Sequence, residues 1–171
     1  GHHPIIFMQC GPVRHRVDAK QQADARPFTH HVMVRPTGLR SMTDPNPDRR
    51  VEYQNLCEEI IRSERRNAMI RDDVVGALRE GRSPLVLTER TEHVTILADL
   101  IRPHAPHLII LQGGMGKKSL REAIAQLAAV PENETRVVIA TGKFVGEGFD
   151  DSRLDTLFLT MPVSWRGIIA Q

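Results

Sequence analysis

Residues 137–150 read VVIATGKFVGEGFD, an apolar run from Val137 to Ala140 that opens directly into a loop with three glycines, a threonine, a lysine and an acidic end. A strand that is apolar on consecutive positions is covered on both faces, as in a parallel sheet flanked by helices. Such sheets present ligands at the carboxyl ends of their strands, where a loop of this composition suits phosphate or sugar oxygens. Gly142, Gly146 and Gly148 permit close backbone approach, Thr141 offers a hydroxyl, and Asp150 can accept hydrogen bonds from a ribose.

Outward from this loop, short apolar runs alternate with amphipathic ones from Pro84 onward: PLVLT, TEHVTILADLI, HLIIL, SLREAIAQLAAV, RVVIAT and DTLFLTMPV. The order predicts βαβαββ, an α/β lobe with a mostly parallel sheet and right-handed crossovers. Ser119 and Glu122 have the spacing of a capping box, and Leu120, Ala123, Ile124, Leu127 and Ala128 follow at helical intervals. Upstream, Pro4 to Cys10 and His30 to Arg35 predict strands, and the Pro-, Asp- and Asn-rich stretch from Thr37 to Asp48 a linker. Arg50 to Glu80 predicts one or two helices, with Tyr53, Leu56, Ile60 and Ile61 on one stripe and Met69, Val74, Ala77 and Leu78 on another; Gly81 stops them.

Composition sets bounds on function. With 23 basic and 21 acidic residues in 171, the formal charge is +2, so any nucleic-acid contact must come from a local patch. Cys10 and Cys57 form neither a disulfide framework nor a metal-ligand spacing, which points to a reducing, cytoplasmic setting. No apolar run approaches the roughly 18 residues of a membrane span, so no membrane partner is expected. His93, His104 and His107 are expected on helix or loop surfaces, and no metal site is expected.

Two further turns carry chemistry. Residues 112–119, QGGMGKKS, miss the phosphate-binding pattern GxxxxGK followed by Ser or Thr: Leu111 occupies the first glycine position, and Lys118 follows Gly116-Lys117. Glycines after a strand, two lysines and a helix N-terminus still suit a nucleic-acid phosphate, which nominates Gly113, Gly114 and Lys117. The TERT turn from Thr88 to Thr91 places Thr88 and Arg90 at a strand end, where they suit either a nucleic-acid backbone or a helix cap.

The segment from Thr141 to Asp150 resembles motif V of superfamily-2 DEAD/DEAH-box helicases, TERT resembles their motif IV, and Arg121 falls where they carry an arginine early in a helix. His3 to Gln22 resembles the end of the first lobe in proteins allied to the Res subunit of type III restriction enzymes. The resemblance spans nearly the whole chain and is strongest from Pro84. It implies a RecA-like three-layer αβα lobe of the P-loop NTPase fold, the helicase C-terminal domain. Residues 1–40 would be the tail of a first RecA-like lobe, 41–50 a linker, and 51–171 the second lobe. By the same resemblance Thr141 and Gly142 would grip the nucleic-acid backbone, whereas Gly146, Gly148 and Asp150 would face ATP.

The resemblance further implies an ATP-dependent DNA helicase or translocase of restriction or repair type. ATP and Mg2+ would bind between this lobe and the first RecA-like lobe of the same chain. The nucleic acid would be single-stranded or duplex DNA, with RNA as the alternative, and a nuclease or methyltransferase partner is compatible. Family members continue with Q-x-x-G-R-x-x-R, motif VI, where this sequence stops at Gln171; it also shows no Walker A lysine and no DExH or DExD box. Alone, this stretch is therefore expected not to hydrolyse ATP and to have no catalytic residue of its own. Two other classes fit the same residues: a sugar-nucleotide-binding Rossmann-like enzyme domain and a non-catalytic protein-interaction module.

Overall fold

A computed structural model describes residues 31–41, 48–142 and 151–162. Residues 1–35 and those from Pro36 onward cluster as two separate units. In the first, residues 31–35 have no regular secondary structure, in place of the strand expected over His30 to Arg35. Alternating apolar residues favour a strand only where a neighbour completes the ladder.

The second unit begins with two helices, α1 (Arg49–Arg62) and α2 (Glu64–Arg79). The Asp48 side chain accepts from the Arg50 amide at 2.8 Å and caps α1. Ser63, extended at ψ 93°, breaks the helical path between them. Gly81, at φ +78°, ends α2: its amide donates to the Leu78 carbonyl and that of Arg82 to the Ala77 carbonyl, both at 3.0 Å. That paired closure needs a left-handed residue, which is why glycine sits there.

Next come β1 (Pro84–Thr88), α3 (Thr91–Ile101), a 3-10 turn at Arg102–His104, β2 (Leu108–Leu111), α4 (Lys117–Ala129), β3 (Val137–Thr141) and β4 (Thr156–Leu159). The sheet order is β2-β3-β1-β4, with every pair parallel. The βαβαββ order expected from the sequence is the one observed. Helix α4 starts three residues earlier than the capping-box spacing suggests. Gly116 is its N-cap, and Ser119 lies inside the first turn. Both lysines are good helix formers and extend the helix toward the strand.

The sheet is packed on both faces. On one, Val86, Val137 and Ile139 meet Ile70, Val74 and Leu78 of α2 and Val94, Leu97 and Ile101 of α3. On the other, Leu87, Ile109, Leu111, Val138 and Ala140 meet Ala123 and Leu127 of α4. All five residues of β3 are buried, as its unbroken apolar run requires. A third cluster joins Cys57, Ile60 and Ile61 of α1 to Met161 beyond β4. Because all strands run the same way, their carboxyl ends form one edge, where β1 and β2 open into two of the turns singled out by sequence and β3 ends at Thr141; the rest of the third turn, 143–150, lies outside the described residues.

Candidate nucleic-acid edge

Register fixes the neighbours on this edge. Thr88 ends β1 directly opposite Thr141 at the end of β3, and Leu111 of β2 lies opposite Ala140. The chain leaving β2 therefore passes Thr141, and the Gly113 amide donates to Thr141 Oγ1 at 2.9 Å. A Cβ on Gly113 would lie 3.8 Å from that oxygen, an ordinary van der Waals distance, so this contact does not itself require glycine. Gly114, at φ +85°, turns the chain, and Gly116 leads into α4 with no side-chain cap.

The first-turn amides of α4 thus point out at an exposed end, in the direction that favours an anion. Gly113, Gly114, Gly116, Lys117 and Arg121 are all exposed. Lys117 and Arg121 are four residues apart and share one helix face. Thr141 is only 5% exposed. Its oxygen accepts from Gly113 while its hydroxyl proton stays available to donate. Gly142 beside it is buried.

Thr141→Val removes this acceptor and is expected to lower stability by about 1 kcal/mol. Thr141→Ser should restore it, and urea denaturation of the two variants is the check.

Thr88 and Arg90 part company. Arg90 is exposed and is the extended N-cap residue of α3. Thr88 is 1% exposed, with Oγ1 2.8 Å from His93 Nδ1. His93 corrects the surface placement expected from sequence: it has no exposed area and lies 3.0 Å from Asn67 Oδ1 through Nε2. Burial, aided by the Arg66 charge, pushes its imidazole down to about 4, so it is neutral at pH 7. Asn67 Nδ2 donates to the Ile61 carbonyl at 2.8 Å. Arg66 Nη2 donates to the Thr160 carbonyl, while its buried Nη1 has no hydrogen-bond partner among the described residues. Thr160 in turn donates its amide and hydroxyl to the Leu87 carbonyl.

Gly146, Gly148 and Asp150 lie outside the described residues. Just beyond them, Asp151 is a structural anchor. Its carboxylate accepts from Arg153 Nε and the Arg153 amide at 3.1 Å, and lies 3.6 Å from Arg136 Nε. Arg153 reaches on to the Leu127 and Val130 carbonyls at the end of α4. Burial alone would raise the Asp151 carboxyl; the Arg153 hydrogen bonds and the two guanidinium charges outweigh it and hold the group below its ordinary value. The 3.6 Å contact is a charge contact, not a hydrogen bond, which leaves Arg136 Nε and Nη1 buried without hydrogen-bond partners among the described residues.

His104 and His107 stand apart from this edge. His107 Nε2 lies 2.5 Å from Glu134. His104 lines a cleft of about 210 Å3 with Arg79 and Thr135. A larger cleft of about 470 Å3 lies between Leu39, Arg40 and α1. Among the described residues, no three His, Cys, Asp or Glu side chains come together as a metal site would need, and no helix is long and apolar enough to cross a membrane.

Sequence reasoning missed Asn67, His93, Arg136 and Arg153. A signal existed for His93: it shares the stripe of Val94, Leu97, Ala98 and Ile101, so a polar ring there must be buried and partnered.

No protein-family model matches the chain, and no curated protein matches it. Among solved structures it is similar to T4 UvsW, with a TM-score of 0.56 and 17% identity over 69% of this chain. The match covers 24% of that chain, so the sequence spans about a quarter of the length of its structural neighbour. The four-stranded parallel sheet between helices is a RecA-like α/β fold.

Proposed function

We propose that this chain is the second motor lobe of an ATP-dependent DNA helicase or translocase of restriction or repair type, with Res-subunit proteins as its relatives. The observation that carries the proposal is the Gly113 amide bonded to Thr141 Oγ1, which ties the glycine turn after β2 to the end of β3 on the carboxyl edge of the sheet. That surface is open rather than enclosed, with the uncapped start of α4, Lys117 and Arg121 exposed along it. An open edge of amides and cations suits a polymer of phosphates running across it more than a small molecule that must be engulfed. The similarity of fold to T4 UvsW supports the same reading.

In this proposal Gly113, Gly114, Lys117 and Arg121 hold phosphates, Thr141 donates its hydroxyl to the backbone, and Gly142 lets the strand approach. Residues 1–40 are the tail of a first RecA-like lobe joined through 41–50. ATP and Mg2+ bind between the lobes, with Gly146, Gly148 and Asp150 facing the nucleotide, and the lobe alone does not turn over ATP. The nucleotide supplies the energy of closure; this chain's part is to grip the strand and hold the turns in register.

Binding of fluorescein-labelled single-stranded DNA, followed by anisotropy across a salt series, tests the assignment. Lys117→Ala and Arg121→Ala are each expected to flatten the dependence of log K on log salt by about 0.7. Unchanged slopes in both would refute the phosphate edge. ATP turnover should appear only in a protein that also carries the first lobe; turnover by residues 1–171 alone would contradict the two-lobe assignment.

A further inference from the structure

The turn between β1 and α3 is closed by side chains. Thr88 and His93 stand at its two ends, both buried and 2.8 Å apart, while Glu89 and Arg90 project from the loop into solvent. The direction of each proton in this closure follows from Asn67. Its Nδ2 is spent on the Ile61 carbonyl, so Oδ1 faces His93 and accepts from Nε2–H. The neutral ring then has a bare Nδ1, which accepts the Thr88 hydroxyl proton. Thr88 consequently has no proton for a phosphate, whose oxygens only accept. Among the described residues the cation available at this strand end is Arg90, and its backbone is pinned on the far side as well, where its carbonyl accepts from the Val94 amide at 3.1 Å.

We propose that the buried Asn67–His93–Thr88 relay holds the Glu89–Arg90 turn in the shape in which Arg90 meets a nucleic-acid phosphate, making His93 a positioning residue of this edge. The proposal rests on the nucleic-acid reading above. It adds that α2, through Asn67, governs a contact made by a residue it does not touch through that side chain.

A thermodynamic cycle on labelled single-stranded DNA tests it, at a temperature where circular dichroism shows every variant folded. Arg90→Ala is expected to weaken binding about three- to tenfold at low salt and to flatten the salt slope by about 0.7. His93→Gln keeps a donor toward Asn67 but loses the bond to Thr88, and should weaken binding to a similar extent. The double variant should bind no more weakly than Arg90→Ala alone, because His93 acts through Arg90. A purely structural role would instead leave affinity at the wild-type value or multiply the two losses, and either result overturns the proposal while leaving the nucleic-acid reading intact. If Arg90→Ala, Lys117→Ala and Arg121→Ala all bind like wild type, the nucleic-acid reading fails and this one with it. Should His93→Gln not fold, nitrogen NMR of the wild-type ring decides: a proton on Nε2 supports the relay, and a proton on Nδ1 of the neutral ring overturns it.

Discussion

Asp151→Asn is expected to lower the unfolding free energy by roughly 3–5 kcal/mol, read from urea denaturation with an unchanged slope. Asparagine keeps the size of the side chain and one acceptor for Arg153 but removes the charge that faces Arg136. The Arg136 side chain is 2% exposed, and burial already works against its charged form. With the carboxylate gone, that cation would be buried beside Arg153 with no other anion paired to it among the described residues, the most costly of the available arrangements. Arg136→Met should behave oppositely. It removes a charge whose Nε and Nη1 make no hydrogen bond among the described residues and fills the space with an apolar stem, so its effect should lie near zero or be stabilising. In the Arg136→Met background the asparagine change should cost far less, and that non-additivity identifies the buried cation as the source of the loss.

Acid should weaken the fold first through His93. The unfolded imidazole takes up a proton near 6.5, the folded one only at about 4. Between these values the unfolded state binds more protons, so stability rises with pH through the window, is complete above 6.5 and falls steadily toward 4. The difference corresponds to about 3 kcal/mol. His93→Gln should flatten the profile between pH 6.5 and 4 at the expense of lower stability at pH 7. Asp151 acts lower on the scale. Its carboxyl is held below the ordinary 3.8, so the stability it contributes is present above that value and disappears as pH falls through the depressed one. Two separate acid phases in wild type, with the upper one missing in His93→Gln, are the expected result.

Much of the architecture was legible because the apolar code of a parallel sheet is unambiguous. Val137 to Ala140 can only be a strand covered on both sides, and the helical spacing of Leu120, Ala123 and Leu127 admits one period. Gly81 was readable as a stop because few residues adopt its φ of +78°. Helix starts were less so, since Lys117 and Lys118 extend α4 past the Ser119 signal without any cap to mark the change. The buried polar network was not legible in pairwise spacing. Asn67 and His93 are 26 residues apart, and Arg153 meets Leu127 across a similar gap, so each partner is supplied only by the folded sheet. For the same reason Thr88 looked like a phosphate ligand: a hydroxyl at a strand end is indistinguishable in sequence from one already committed to a neighbour. The juxtaposition of Gly113 with Thr141 is different in kind. Two glycine turns after two strands of one parallel sheet must share an edge, and strand order alone decides that they are adjacent.

Strand order has a consequence for synthesis. β1 lies between β3 and β4, so the earliest of the four strands is flanked on both sides by the latest two. The Leu87 carbonyl waits for Thr160, 73 residues downstream, before its hydrogen bonds are complete. A nascent chain can join β1, β2 and β3 while one flank of β1 stays open, and only the arrival of the fourth strand seals it. Such distant pairing slows assembly and prolongs the exposure of an unsealed strand, so translation pauses before residue 156 would be the moment when this lobe is most open to adhesion with its neighbours on the polysome.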